Sequence, residues 1–241
     1  MRFAFISDIH GNFLSLELVL EDLQKENVDQ IVCLGDVASL GPQPREVIAR
    51  LKELKIPVIM GNHDNYLLNL HLTEAHLPWL RAAEEWCQSL LDESDLDFLR
   101  SFQPQMSFSL DKNTNVLCYH GSPRLDEEFL YPTVSAHTLD EIFKAYDARL
   151  FVGGHTHVQM VRQHRNTTIL NPGSVGMPFE FPVPGQEQHA LRRAEYAVVE
   201  MANDQLTIDL HQLPIDFNRL AQAARDSGIP DVDFWISTWH L

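Results

Sequence analysis

Along the chain, short apolar runs alternate with polar turns, and the period of the apolar positions switches between that of a strand and that of a helix. In the first 60 residues, the runs at 3–6, 31–34 and 57–60 suit buried strands. Between them Leu14, Leu18, Leu20 and Leu23, then Val47, Ile48, Leu51 and Leu54, recur at helical spacing. Strand, helix, strand in this order predicts a partly parallel sheet. From 65 to 100 the spacing is helical throughout, carried by Leu67, Leu68, Leu70, Trp79, Leu80, Trp86, Leu90, Leu91, Leu96, Phe98 and Leu99. Pro78 sits where a helix tolerates proline, in its first turn. Strands are predicted at 106–110 and 115–119, joined by the polar Asp111-Lys112-Asn113-Thr114, and a helix at 137–146. Further strands follow at 150–152, 158–162, 167–170, 196–201 and 206–210. Asp216 opens a last helix to about 225, stopped by Gly228 and Pro230, and Phe234, Trp235 and Trp239 end the chain.

With 241 residues, 44% of them hydrophobic, the chain can bury one large core, so residues 1–241 are expected to form one domain. The helical stretch 65–100 reads as an insertion within it, and 214–241 as a C-terminal helix with an aromatic tail. Trp79 and Trp86, seven apart on one helical face, read as packing residues, and His71 and His76 as surface residues. Three exposed aromatics at the tail would be a liability, so the tail is expected to pack on the body or on a second subunit as a homo-oligomer contact. The prolines at 178, 182 and 184 with Gly185 make 177–191 an irregular, mobile loop.

Charge narrows the partners. With 34 acidic against 18 basic residues, the net charge of −16 opposes the phosphate neutralisation on which binding of long nucleic acid depends. A run of about 18 apolar residues, enough to cross a membrane, does not occur. A strand begins within two residues of Met1, leaving no room for a signal peptide, and Cys33, Cys87 and Cys118 form no disulfide framework. A cytoplasmic protein with no membrane partner is expected.

The candidate chemistry lies where the apolar runs stop. The run at 3–6 leads to Ser7-Asp8-Ile9-His10, and that at 31–34 to Gly35-Asp36. The run at 57–60 leads to Gly61-Asn62-His63-Asp64, that at 116–119 to His120, and that at 150–152 to Gly153-Gly154-His155-Thr156-His157. Ligands collect at the carboxyl ends of strands in open α/β sheets. Besides His63, these ends offer Asp8, His10, Asp36, Asn62, His120, His155 and His157. A structural zinc site takes four ligands and a catalytic one three. Seven suit a pair of ions about 3.5–4 Å apart.

These five blocks, in this order, resemble the calcineurin-like metallophosphoesterases, over roughly residues 1–212. Ser7-Asp8-Ile9-His10-Gly11-Asn12, Gly41-Pro42 and Asn171-Pro172-Gly173-Ser174-Val175-Gly176 look most like that superfamily's small bacterial and archaeal phosphodiesterase branch. The resemblance implies an α/β fold, a four-layer α-β-β-α sandwich, with 65–100 as a small helical cap beside the site. It further implies that Asp8, His10, Asp36 and His157 hold one divalent transition-metal ion and Asp36, Asn62, His120 and His155 a second. Manganese is the expected metal, with iron or zinc as alternatives. A hydroxide bridging the ions would attack phosphorus. His63, pointing at the substrate, would stabilise the phosphate or protonate the leaving group, and Asp64 would orient His63.

Two departures bear on the substrate. The protein Ser/Thr phosphatases and diadenosine tetraphosphate hydrolases of this superfamily place an arginine just before the glycine that ends the Gly-Asp block, and the protein phosphatases place another before Gly-Asn-His. Here Leu40 and Met60 stand at those positions, and Arg124 is the nearest substitute. A small-molecule phosphodiesterase is therefore expected, with a phosphomonoesterase, a protein phosphatase-like enzyme or a dinucleoside polyphosphate hydrolase as alternatives. Close relatives tend to carry Gln-Pro-Arg where this chain has Met177-Pro178-Phe179. A non-catalytic scaffold of the same fold would have eroded motifs, whereas every ligand and His63 are present here.

Overall fold

The computed structural model describes residues 1–182 and 188–239. Its elements in chain order are β1 (Arg2–Ile6), α1 (Phe13–Glu26), β2 (Gln30–Cys33), α2 (Pro44–Leu54), α3 (Asn62–Leu68), a 3-10 helix (Leu70–Ala75), α4 (Pro78–Leu90), α5 (Glu93–Arg100), β3 (Met106–Ser109) and β4 (Asn115–Cys118). There follow α6 (Ala136–Phe143), β5 (Leu150–Val152), β6 (Met160–His164), β7 (Thr167–Asn171), β8 (Arg193–Ala202), β9 (Gln205–Pro214), α7 (Phe217–Ser227) and α8 (Val232–Ser237).

The strands form two mixed sheets, ordered β2-β1-β8-β9 and β3-β4-β5-β7-β6. β1 runs parallel to β2, as the opening strand–helix–strand rhythm requires, and β4, β5 and β7 are parallel to one another. The apolar run at 57–60 is not a full strand. Val58 and Ile59 make single bridges, to Cys33 and Gln103, because the chain turns at once into α3. β8 and β9 extend beyond 196–201 and 206–210 and are joined at Asn203-Asp204, both at positive φ, the conformation that matches strand twist in a two-residue hairpin.

Side-chain alternation assigns the layers. Phe3 and Phe5 of β1 meet Val116 and Cys118 of β4 and Leu150 and Val152 of β5 between the sheets. Their neighbours Ala4 and Ile6 face Leu16, Val19, Val47, Ile48 and Leu51 of α1 and α2. On the far side, Leu117, Tyr119 and Phe151 pack on Leu139, Ile142 and Phe143 of α6. The result is the expected four-layer α-β-β-α sandwich, and the carboxyl ends of β1, β2, β4 and β5 lead into the segments that carry the candidate ligands.

The segment 65–100 packs as α3, α4 and α5 beside that edge. Trp86 joins the helix-side core, as expected of a packing residue, whereas Trp79 lies against Phe234 with ring centroids 5.3 Å apart. The C-terminal segment packs on its own chain. Trp235 and Trp239 are buried with Leu220, Ala224 and Met177, and the Trp235 Nε1–H donates to the Leu40 carbonyl at 2.7 Å. Those two tryptophans are therefore covered without a second subunit. Of the loop 177–191, residues 183–187 lie outside the described residues, and its ends are tied together by a bridge between Phe179 and Ala190. Among the described residues no helix is long and apolar enough to cross a membrane.

Candidate metal centre

Five of the seven ligand candidates sit in sharp turns just past strand ends. Asp8, His10, Asp36, His155 and His157 all have positive φ, between 46° and 66°. Among non-glycine residues Asp, Asn and His are the most tolerant of that region, so the residue types that supply ligands also suit the turn. The glycines beside them provide room. A Cβ on Gly61 would lie 2.1 Å from Asp36 Oδ1, and one on Gly154 would lie 2.0 Å from Ser7 Oγ and 2.7 Å from Asp8 Oδ2.

The turns bring the side chains into two groups. One atom each from Asp8, His10 and His157 lies within 4.8 Å of the others, and Asp36, His120 and His155 form a second such set. Asp36 reaches both, with Oδ2 3.7 Å from His10 Nε2 and 3.2 Å from His120 Nε2. Asn62 joins the second set, its Oδ1 3.0 Å from His120 Nε2. Asp8 Oδ1 is 3.3 Å from His157 Nε2. All seven residues predicted as ligands thus converge.

Their hydrogen bonds show what the cluster is built to hold. The Nδ1–H of His10 donates to the Ser39 carbonyl at 3.1 Å, that of His120 to Leu34 at 2.7 Å, and that of His157 to Met177 at 2.6 Å. With each Nδ1 committed, the Nε2 atoms of the three rings are turned inward, and those of His10 and His157 meet at 3.1 Å. Two lone pairs at that distance repel unless a cation lies between them. Nitrogens at adjacent corners around an ion with bonds of about 2.0–2.1 Å would be about 3 Å apart. Asp8 Oδ1, Asp36 Oδ2 and His155 Nε2 are buried and have no hydrogen-bond partner. The donor set, nitrogen and oxygen without sulfur, suits hard to borderline divalent ions.

Charge points the same way. Burial raises the pKa of Asp8 and Asp36, but the surrounding imidazoles outweigh it, holding Asp8 at about 2 and Asp36 well below the usual carboxylate range. Burial also opposes protonation of His120, yet Asp36 and Asp8 push it up to about 10. Burial takes His10 down to about 3 and His155 to about 4. Two buried carboxylates demand positive charge, and a proton on His120 meets only part of that demand.

Asp64 is hydrogen-bonded to the backbone and not to the His63 ring. Its Oδ2 accepts from the backbone N–H of Asp36 at 2.8 Å and of Gly61 at 3.1 Å, and its Oδ1 from that of Val37 at 2.9 Å. As the third residue of α3 it caps that helix and ties it to the turn after β2. The carboxylate on His63 is Glu84 of α4, whose Oε1 accepts from Nδ1 at 2.8 Å. The other oxygen of Glu84 accepts from His76 Nδ1 at 3.0 Å, so His76 is no free surface residue. A signal for Glu84 was present: it shares the apolar stripe of α4 with Leu80, Ala83 and Cys87, an improbable place for an acid without a partner.

The segment Asn171-Pro172-Gly173-Ser174-Val175-Gly176 holds two ligand turns together. Asn171 Nδ2 donates to the Gly154 carbonyl at 2.7 Å and to Thr156 Oγ1 at 3.0 Å, while Ser174 Oγ and the Gly176 N–H both donate to the Asp8 carbonyl, at 2.7 and 3.0 Å. Phe179 lays its ring on His157, centroids 4.8 Å apart and planes 7° from parallel. Arg124 is paired with Glu128 and nearly half exposed.

Comparison with known proteins agrees with this geometry. Residues 1–204 match the calcineurin-like phosphoesterase superfamily domain. An uncharacterized protein of Methanocaldococcus jannaschii is 30% identical over 192 residues, covering 73% of this chain and 76% of its own. The phosphodiesterase YfcE of Escherichia coli is 28% identical over 190 residues, covering 74% and 81%. The crystal structure of a metallophosphoesterase from Sphaerobacter thermophilus superimposes with a TM-score of 0.75 at 28% identity, covering 99% of this chain and 98% of its own.

Proposed function

From the premise that this chain belongs to the calcineurin-like phosphoesterase superfamily, we propose that it hydrolyses small-molecule phosphodiesters with two divalent metal ions, manganese first among them. Asp8, His10, Asp36 and His157 would hold one ion, and Asp36, Asn62, His120 and His155 the other. The inward-facing, unpartnered atoms of these side chains carry the reading. When bound, the ions lower the pKa of a water and neutralise charge on the phosphoryl oxygens. The chain's own groups do the rest. Backbone carbonyls fix the tautomers of His10, His120 and His157, and Asp36 stays anionic while accepting from the His63 N–H at 2.9 Å. His63 stands at the margin of the cluster, its ring 5.3 Å from that of His10, and as an imidazolium, with Nδ1–H on Glu84, it has its Nε2–H left to protonate the departing oxygen.

The diester preference rests on what occupies the two arginine positions. Leu40 is buried under Trp235, and Met60 lines a cavity of about 240 Å³ with His120, Arg124 and Asp126. Acidic Asp126 on that wall disfavours a phosphomonoester dianion. Segment 65–100 acts as a cap that meets the substrate, and the net charge of −16 argues against long nucleic acid. Three buried free thiols suit a reducing compartment, the cytoplasm. The test compares kcat/KM for bis-aryl and mono-aryl phosphates on the manganese-loaded protein. A monoester preference refutes the substrate class, and full activity in excess chelator refutes the metals. His63→Ala is expected to keep both ions and lose most turnover.

A further inference from the structure

The inserted helix α4 delivers a carboxylate to the reactive histidine. Glu84 is 0% exposed, and its two oxygens accept from His63 Nδ1 at 2.8 Å and His76 Nδ1 at 3.0 Å. The Tyr66 ring stands edge-on to both imidazoles, centroids 5.3 and 4.6 Å away, and the Tyr66 hydroxyl donates to Glu127 Oε1 at 2.5 Å. A carboxylate buried this deeply needs hydrogen bonds on both oxygens. Here two histidines supply them, one beside the metal ligands and one on the insertion.

We propose that Glu84 is the positioning residue for His63: it accepts the Nδ1–H, fixes the ring's orientation and so aims the Nε2–H of the imidazolium at the leaving oxygen, which takes that proton and leaves a neutral ring still bonded to Glu84 through Nδ1–H, while His76 holds the other oxygen of Glu84 in place. The assignment rests on the reading of His63 as the group that protonates the leaving oxygen. It makes the insertion part of the catalytic apparatus, because a shift of α4 displaces the partner of His63. Purely structural attachment of α4 would give Glu84 the same contacts, so the test must separate the two roles.

The metal-loaded full-length protein, Glu84→Gln, His63→Ala and the double variant are assayed on aryl methyl phosphates whose leaving phenols run from nitrophenol to phenol. Metal content is measured in each. Loss of an orienting partner costs about 10–100-fold. Glu84→Gln is expected to keep both ions and lose about that much kcat on the phenyl ester, but distinctly less on the nitrophenyl ester, which needs little protonation to leave. KM should barely move. The double variant should be no slower than His63→Ala, because Glu84 acts through His63. Equal losses across the series, with additive effects in the double variant, would overturn the proposal. If Glu84→Gln fails to fold, Glu84→Asp, too short to reach both imidazoles, carries the same two readouts. A His63→Ala variant with unchanged leaving-group dependence would refute His63 as the proton donor, and additivity would still judge the link to Glu84 separately.

Discussion

Replacing Asp64 with Asn separates a scaffold role from a catalytic one. The carboxylate accepts three backbone N–H groups, two at Oδ2 and one at Oδ1. An amide has one oxygen. Placed where Oδ2 lies, that oxygen keeps the bonds from Asp36 and Gly61, and the new NH2 then faces the Val37 N–H, donor against donor. One backbone N–H and one amide are left buried without acceptors, at about 1–3 kcal/mol each. Part of this is offset, because burial beside Asp36 already raises the Asp64 pKa to about 7 and the neutral amide escapes that penalty. A net loss of about 3 kcal/mol corresponds to roughly 6–12 °C in Tm for a chain of this size. The assay is thermal unfolding in excess chelator, so that metal binding does not mask the change, with kcat at saturating manganese measured alongside. Asp64→Asn is expected to lower Tm by that amount and to weaken metal binding, since the turn carrying Asp36 hangs on Asp64. Turnover at saturation should fall far less than in His63→Ala. An unchanged Tm with turnover as low as in His63→Ala would refute the scaffold role and restore Asp64 as the partner of His63.

Gly61→Ala places a methyl 2.1 Å from Asp36 Oδ1 and is expected to cost at least one bound ion, read by metal analysis. Trp235→Ala removes a buried indole and the hydrogen bond to the Leu40 carbonyl, and should destabilise by about 3–5 kcal/mol; an unchanged denaturation midpoint would mean that the tail is not packed as described. Manganese at a hundredfold excess over its dissociation constant should raise stability by about 2.7 kcal/mol, and a Tm insensitive to manganese and chelator alike would count against the metal sites. Burial raises Glu195 to about 7 against the pull of Arg193. The folded state then holds an extra proton between about pH 4.5 and 7, and stability falls as pH rises through that window, by up to about 3 kcal/mol. In Glu195→Gln this loss should vanish, so unfolding curves of the two proteins that shift in parallel from pH 5 to 8 would refute it.

The parts of this molecule that could be read from its sequence are those in which local pattern and chemistry coincide. A strand that stops at Ser7-Asp8-Ile9-His10 shows its buried alternation, its sharp turn and its candidate ligands within a few residues, so the layers and the clustering of those side chains were legible together. Residues 57–60 show the limit. Their apolar run looks like a full strand, but the helix beginning at Asn62 cuts it to two single bridges. Pairing depends on where the chain goes next, which periodicity in a short window does not encode.

The partner of His63 failed for a related reason. Asp64 is adjacent in sequence, and adjacency made it the natural orienting carboxylate. Yet His63 and Asp64 occupy successive positions in the first turn of α3, where side chains one apart point about 100° away from each other. A residue at that position of a helix is placed to cap it, and the turn after β2 presents two more free N–H groups in reach. Asp64 satisfies all three, and the imidazole must find its carboxylate elsewhere. Helix α4 supplies one from 21 residues downstream, on an apolar stripe that an acid interrupts. Pairing between distant segments leaves little trace in one sequence, but a charge in an otherwise apolar stripe is such a trace. Here it marks the point at which α4 reaches His63.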